Sequence, residues 1–358
     1  MNLREPLGRA FISNFFWSVM CKAAIQRFLA CVVLWALAVP TAFATPYPLP
    51  TDGSRLVGYP EAHIVKKGEH LEAIAKHYDM GFLALLALNP GIDPYLPEPG
   101  SLVRLPNQLL LPSPPHSGIV INLAELRLYY FPEPDAKVTG EKADAQRDVH
   151  VFPIGIGRVG RETPTMNTYI SQKREHPTWT PPQSIRDEYK KQRGISLPDV
   201  VPAGPNNPLG DHALRLGYGN GEYLIHGTNK SFGIGLRVSA GCIRLRPDDV
   251  GWLFEQVDVH TPVRIINQPA KLSVEPDGRV MVEAHRPLSK NERETKARLS
   301  IDPDPQILAI FERLELSPRR YRAALSVQEG TPIEVVALTP AQRKAWQRLA
   351  QAALEKKE

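Results

Sequence analysis

The chain has 358 residues, with 43 Lys and Arg against 38 Asp and Glu. Four of those basic residues and Glu5 lie within positions 1–44, which leaves 39 against 37, so charge gives no ground for a nucleic-acid partner. Proline, at 35 residues, is about twice its usual share, which favours strands and ordered loops, and the length admits two or three domains.

Arg4, Arg9, Lys22 and Arg27 precede the apolar run FLACVVLWALAV at 28–39, and Ala42-Phe43-Ala44 follows. A basic segment, an apolar run of about a dozen residues and a small-x-small site read as a secretory signal over 1–44, cleaved after Ala44. The run is shorter than the ~20 residues of a membrane span, which disfavours the alternative of an uncleaved anchor. Translation starts at Met1 or Met20. Cys21 and Cys31 leave with such a leader, so Cys242 stands alone. Exported domains use cysteines in pairs; an odd one is a reactive thiol or an intermolecular bridge, or else a small buried hydrophobe.

Residues 45–60 form a polar, turn-rich lead-in. Within 61–107 the pattern is strand (63–66), helix (69–78), helix (81–91) and strand (101–106). Leu71, Ile74, Ala75 and Tyr78 carry the helical spacing, and Asn89-Pro90-Gly91 stops the second helix. QLLLPSPPHSG at 108–118 reads as a semi-rigid Pro-rich linker. Strands follow at 119–131, with a turn at Asn122–Glu125, and at 147–157, with a polar hairpin tip at 136–147 between them. Two more are expected at 222–227 and 262–269. A helix at 246–257 opens on Pro247, with Asp248 and Asp249 in its first turn. Residues 185–213 lack periodicity and have the length of a lid over a groove. Pro276-Asp277-Gly278 marks a hairpin within 270–286, and 302–358 reads as helical. GIGRVG at 155–160 satisfies G-x-G-x-x-G, but no helix pattern opens after it; its glycines suit a tight turn at a strand end.

A nucleophilic cysteine needs a base close by and donors for an oxyanion. YLIHGTN places His226 at a strand end, and VSAGCIRL places Cys242 sixteen residues later. Gly241 allows a sharp turn that aims the amides of Gly241 and Cys242 at a carbonyl, and Ser239 can brace that turn. No second cysteine or spaced histidine pair accompanies Cys242, so neither a metal nor a cofactor is expected.

Lys66-Lys67-Gly68, Leu71, Ile74-Ala75, Leu85, Asn89-Pro90 and Gly100-Ser101-Leu102 through Pro106 resemble a LysM module, which implies binding to N-acetylglucosamine-containing glycans. From about 117 to 268, GIGRVGRETP, HPTWTPP, IHGTN and FGIGLRVSAGCIRLRPDD resemble the YkuD-type L,D-transpeptidases, nearest the periplasmic ErfK/YbiS/YcfS/YnhG group. The resemblance implies a YkuD-like β-sandwich catalytic domain at 117–268, beside a small βααβ LysM domain at 61–107. A helical C-terminal accessory region at 269–358 completes the fold. It makes Cys242 the nucleophile, His226 the base, and Gly241, Ser239 and Gly227 supports of the oxyanion turn. Arg244 matches a residue of the family's motif.

The implied donor is the peptidoglycan tetrapeptide stem, cleaved with release of D-Ala. The acceptor is an amine of diaminopimelate or of an outer-membrane lipoprotein lysine, in the periplasm. Stem carboxylates suit guanidinium groups, so Arg244 and then Arg237 are candidate substrate contacts, while Thr228 and Asn229 are candidates to orient the His226 ring. Where many members carry a histidine, this chain has Ala240, leaving His226 as the sole base. Two alternatives stay open: an L,D-carboxypeptidase in which water replaces the amine, and an inactive wall-binding protein. NlpC-type peptidases place their nucleophile before the histidine, the reverse of the order here.

Overall fold

A computed structural model of the chain describes residues 45–133, 147–230 and 232–354. The expected leader with Cys21 and Cys31, nearly all of the hairpin tip at 136–147, and residues 355–358 lie outside the described residues.

The lead-in is more ordered than its composition suggests: β1 (Thr45–Pro48) and β2 (Leu56–Val57) are strands. Next comes the βααβ unit, with β3 (Glu61–Ile64), α1 (Leu71–His77), α2 (Phe82–Leu88) and β4 (Leu102–Leu105). β3 and β4 pair antiparallel. Leu71, Ile74, Ala75, Leu85 and Val103 fill its core, as the 3.6-residue spacing requires. The Pro-rich linker is no free spacer. Its leucines are apolar enough to pack: Leu109, Leu110 and Leu111 are buried, and β5 (Leu109–Leu110) pairs with β2.

The next strands are β6 (Gly118–Asn122), β7 (Arg127–Phe131), β8 (Asp148–Pro153), β9 (Ile156–Gly157), β10 (Met166–Glu175), β11 (His212–Leu216), β12 (Leu224–His226), β13 (Arg237–Ser239), β14 (Ile243–Arg244) and β15 (Pro262–Ile266). Nine strands form one sheet in the order β1-β8-β7-β6-β15-β10-β11-β12-β14, and β9 pairs with β13 beside it. Alternation along β6 and β7 sends Ile119, Ile121, Leu128 and Tyr130 into one core, and Val120, Tyr129 and Phe131 into a second. Phe152 near one end of the strand order and Ile243 at the other share the first core, so the sheet folds over on itself. Its open side is closed by α4 (Pro247–Gln256) through Val250, Leu253 and Phe254.

One expectation on helices changes. Residues 183–193 form a helix, α3 (Gln183–Arg193), at the start of what reads as a periodicity-free loop. None of its residues is buried, so no apolar stripe marks it in the sequence. Asp249 does stand in the first turn of α4, as expected, but it is buried, and its Oδ2 has no hydrogen bond, only Arg246 Nη1 at 3.9 Å; burial, then the neighbouring Asp79, pushes its carboxyl up to about 8.

The C-terminal region holds β16 (Ala270–Val274) and β17 (Arg279–Ala284), the expected hairpin, then α5 (Glu292–Lys296), α6 (Pro305–Arg313), α7 (Arg319–Val327), β18 (Pro332–Ala337) and α8 (Pro340–Leu354). β18 interrupts the expected helical run. The β-branched Ile333, Val335 and Val336 favour extended chain, and β17 offers a free edge for them. Among the described residues no helix is long and apolar enough to cross a membrane.

Candidate active site

β12 and β14 run parallel, with Ile225 opposite Ile243 and His226 opposite Arg244. Strand alternation therefore puts both isoleucines in the core and both polar side chains on the other face. Cys242 stands one residue before β14 and two before Arg244, on the Arg244 side of the strand. The Cys242 thiol donates to the Glu222 carbonyl oxygen at 3.6 Å. Burial pushes its pKa above the ordinary 9.0, outweighing the Leu224 backbone and Arg244, which favour the thiolate.

His226 is 3% exposed. Its Nδ1 lies 2.5 Å from the Gly227 carbonyl oxygen, which can only accept, so Nδ1 carries the proton. Burial, then Arg244, lowers the ring pKa to about 4, against the pull of the Gly227 and Leu209 backbone. Arg244 thus acts on both groups. Its own Nε is buried without a partner, and Tyr189 of α3 adds to its field.

The turn between β13 and Cys242 is held from inside. Ser239 Oγ accepts from the Gly241 amide (3.2 Å) and donates to the Cys242 carbonyl oxygen (2.5 Å). Gly241 sits at φ +115°, in the region that favours glycine. Its amide is therefore engaged by Ser239 and does not face a substrate, contrary to the expectation from sequence. Thr163, buried, donates its Oγ1 hydrogen to the Gly241 carbonyl oxygen (2.7 Å) and accepts from the Gly157 amide (3.0 Å). A trans peptide is planar, so fixing the Gly241 carbonyl turns the Cys242 N–H the opposite way. At Gly157 a Cβ would lie 2.2 Å from the Arg161 carbonyl oxygen; this glycine of GIGRVG thus serves a tight turn that delivers Thr163.

The other candidates separate. Arg237 donates to the Ser289 carbonyl oxygen (2.9 Å) and Oγ (2.8 Å), tying β13 to the C-terminal region. Thr228 is buried and accepts from the Lys230 amide (3.1 Å), while Asn229 donates to the Pro205 carbonyl oxygen (3.1 Å). Neither bonds to His226; the Gly227 carbonyl orients that ring. Sequence reading passed over Thr163, the Glu222 carbonyl, and Tyr223, whose ring edge would lie 3.2 Å from a Cβ at Gly241 and which meets the exposed Tyr218 edge-on. From the stretch expected as a lid, the Leu209 backbone lies by His226 and Tyr189 of α3 acts on Arg244, while Glu188 pairs with Arg158 and, at 3.4 Å, Arg161.

Glu125, Glu283 and His285 offer three ligand atoms within 4.8 Å of one another. Lys271 Nζ lies 2.9 Å from Glu125 and 3.2 Å from Glu283, so an ammonium already fills the cation position.

Three family models match: the L,D-transpeptidase catalytic domain over residues 116–265, the L,D-transpeptidase C-terminal domain over 269–335, and the LysM domain over 63–106. "Probable L,D-transpeptidase YcfS" of Escherichia coli K12 is 50% identical over 332 residues, covering 88% of this chain and 97% of that protein. The chain belongs to the L,D-transpeptidases. "Probable L,D-transpeptidase ErfK/SrfK" of the same organism is 45% identical, covering 86% of this chain and 96% of that one. "Probable L,D-transpeptidase YbiS" is 48% identical, covering 70% and 78%. As an L,D-transpeptidase with a LysM domain, the protein is a peptidoglycan-binding, peptidoglycan-modifying enzyme. The region beyond 268, read as an accessory tail, carries the family's own C-terminal domain.

Proposed function

We propose that the protein is an exported L,D-transpeptidase in which Cys242 is the nucleophile and His226 the base. The observation carrying this reading is the β12–β14 register, which sets His226 and Arg244 side by side with Cys242 at the strand's mouth. With Nδ1–H held by Gly227, His226 Nε2 takes the thiol proton as Sγ attacks the carbonyl between the third stem residue and D-Ala. The Sγ–C bond forms, the Cys242 N–H steadies the oxyanion, and the C–N bond breaks as His226 returns the proton to the departing D-Ala amine. A primary amine then attacks the thioester, gives its proton to His226, and releases the thiol. The amine belongs to diaminopimelate or a lipoprotein lysine. Arg244 holds a stem carboxylate. The reaction takes place in the periplasm, after cleavage at Ala44.

The test is to incubate protein lacking residues 1–44 with tetrapeptide muropeptide, with and without a lysine-ended peptide, and to weigh the products. Released D-Ala with a new cross-link is expected, and Cys242→Ala should abolish both. D-Ala without a cross-link would make the enzyme a carboxypeptidase. No product with an intact thiol would overturn the assignment.

A further inference from the structure

A cleft of ≈ 770 Å³ opens between the LysM domain and the catalytic domain, apart from Cys242. The LysM wall includes Lys76 and Tyr95, and the catalytic wall includes Thr228, Lys230 and Phe232. Each wall presents an exposed aromatic ring: Tyr95 is 79% exposed and Phe232 is 53%. Large rings left in water on both sides of one cleft are unusual unless something stacks on them. Among the described residues neither Lys76 nor Lys230 forms an ion pair; Lys230 Nζ hangs 5.9 Å over the Phe232 ring. The walls are fixed relative to each other, because Arg246 at the start of α4 pairs with Asp79 and donates to the Met80 carbonyl oxygen at 2.9 Å.

Two exposed rings with unpaired ammonium groups suit the faces of pyranose sugars and the carboxylates of a peptide attached to them, rather than an apolar helix. We propose that this cleft is a composite glycan site, in which the strand is gripped by both domains at once. Tyr95 and Phe232 stack on sugar rings, and Lys76 and Lys230 face the carboxylates of the attached stem. Thr228, on the cleft wall, lies two residues beyond His226, where β12 ends, so a glycan held here delivers its stem toward the thiol. The inference rests on the peptidoglycan reading and assigns the catalytic domain its own share of glycan binding.

The test measures binding to the full chain carrying Cys242→Ala, with chitotetraose and a disaccharide-tetrapeptide as probes. Phe232→Ala should weaken both probes about threefold to tenfold, the size of one lost aromatic contact. Lys230→Ala should weaken the peptide-bearing probe about twofold to fivefold and leave chitotetraose unchanged. Both residues are surface-placed, so folding is not at stake. If both variants bind both probes like the parent, while Tyr95→Ala alone loses affinity, the LysM domain binds glycan unaided and the proposal is overturned. D-Ala release with Cys242 intact is a separate readout: its absence would sink the thiol mechanism without altering these binding ratios.

Discussion

Cys242 and His226 titrate in opposite directions from what an ion pair needs. Burial raises the thiol above 9.0 and lowers the imidazole to about 4. Between those values the resting pair is thiol and neutral imidazole, so in the proposed mechanism the thiolate forms only as the proton moves to Nε2 during attack. Alkylation of the free enzyme by iodoacetamide should therefore climb with pH toward a value above 9, and near pH 7 run slower than a free thiol of pKa about 8.5. A flat, fast rate extending below about pH 6 would reveal a preformed thiolate–imidazolium pair. The same shift has a stability sign. The unfolded ring takes up its proton at about 6.5 and the native ring only near 4, so His226 withdraws stability as pH falls through that window. The two candidates were legible in the sequence because His226-Gly227-Thr228 and Ser239-Ala240-Gly241-Cys242-Ile243-Arg244 are distinctive motifs on a strand-rich stretch, where a lone thiol and a lone histidine would be a weak signal. The protonation state was not, since it depends on burial that no spacing records.

Among elements, register does more for the site than any single bond. β12 and β14 are neighbours although β13 lies between them in the chain, and β13 leaves to pair with β9. That exchange brings Thr163 under the Gly241 carbonyl. Thr163 is 78 positions from Gly241, so nothing local in Glu162-Thr163-Pro164 betrays the contact. Thr163→Val leaves a carbonyl and the Gly157 amide without their partner. It should lower kcat about tenfold with little change in KM, through misplacement of the Cys242 amide. Thr163→Ser, which keeps the hydroxyl, should restore most of the loss; equal damage from both would point to packing rather than positioning. α3 escaped the sequence reading for a different reason. It is held over Arg158 and Arg161 by Glu188 at a solvent-facing surface, and a helix without a buried face leaves no period to read.

At the scale of the molecule, the catalytic and C-terminal domains meet through a buried cluster of charges, with Leu288 packed on the catalytic core beside Ser289. Arg127 Nη1 lies 2.7 Å from Glu283 and 3.3 Å from Glu125, Lys271 bridges both carboxylates, and His285 lies 2.7 Å from Glu283. Burial alone would raise both carboxyls; Lys271 and its neighbours outweigh it and hold them below the usual range. Lys271→Met strands two buried carboxylates on one arginine and should cost about 3–5 kcal/mol of stability, read from denaturant midpoints. Trp252 in the catalytic domain and Trp346 in α8 should report one shared transition. Two separated midpoints in the parent protein would show that the domains are independent. In the sequence these residues look like ordinary surface charges of strands and turns; only the assembly reveals that they meet in one buried cluster between 117–268 and 269–358.

A polypeptide fed out from its first residue presents Glu125 and Arg127 well before Lys271, Glu283 and His285 have been made. Until those arrive, Glu125 and Arg127 have only each other within this cluster, and the buried seam around them is incomplete. The late-made strands are thus a clasp that reports completeness: a product ending before residue 271 lacks the ammonium and the carboxylate that close this seam.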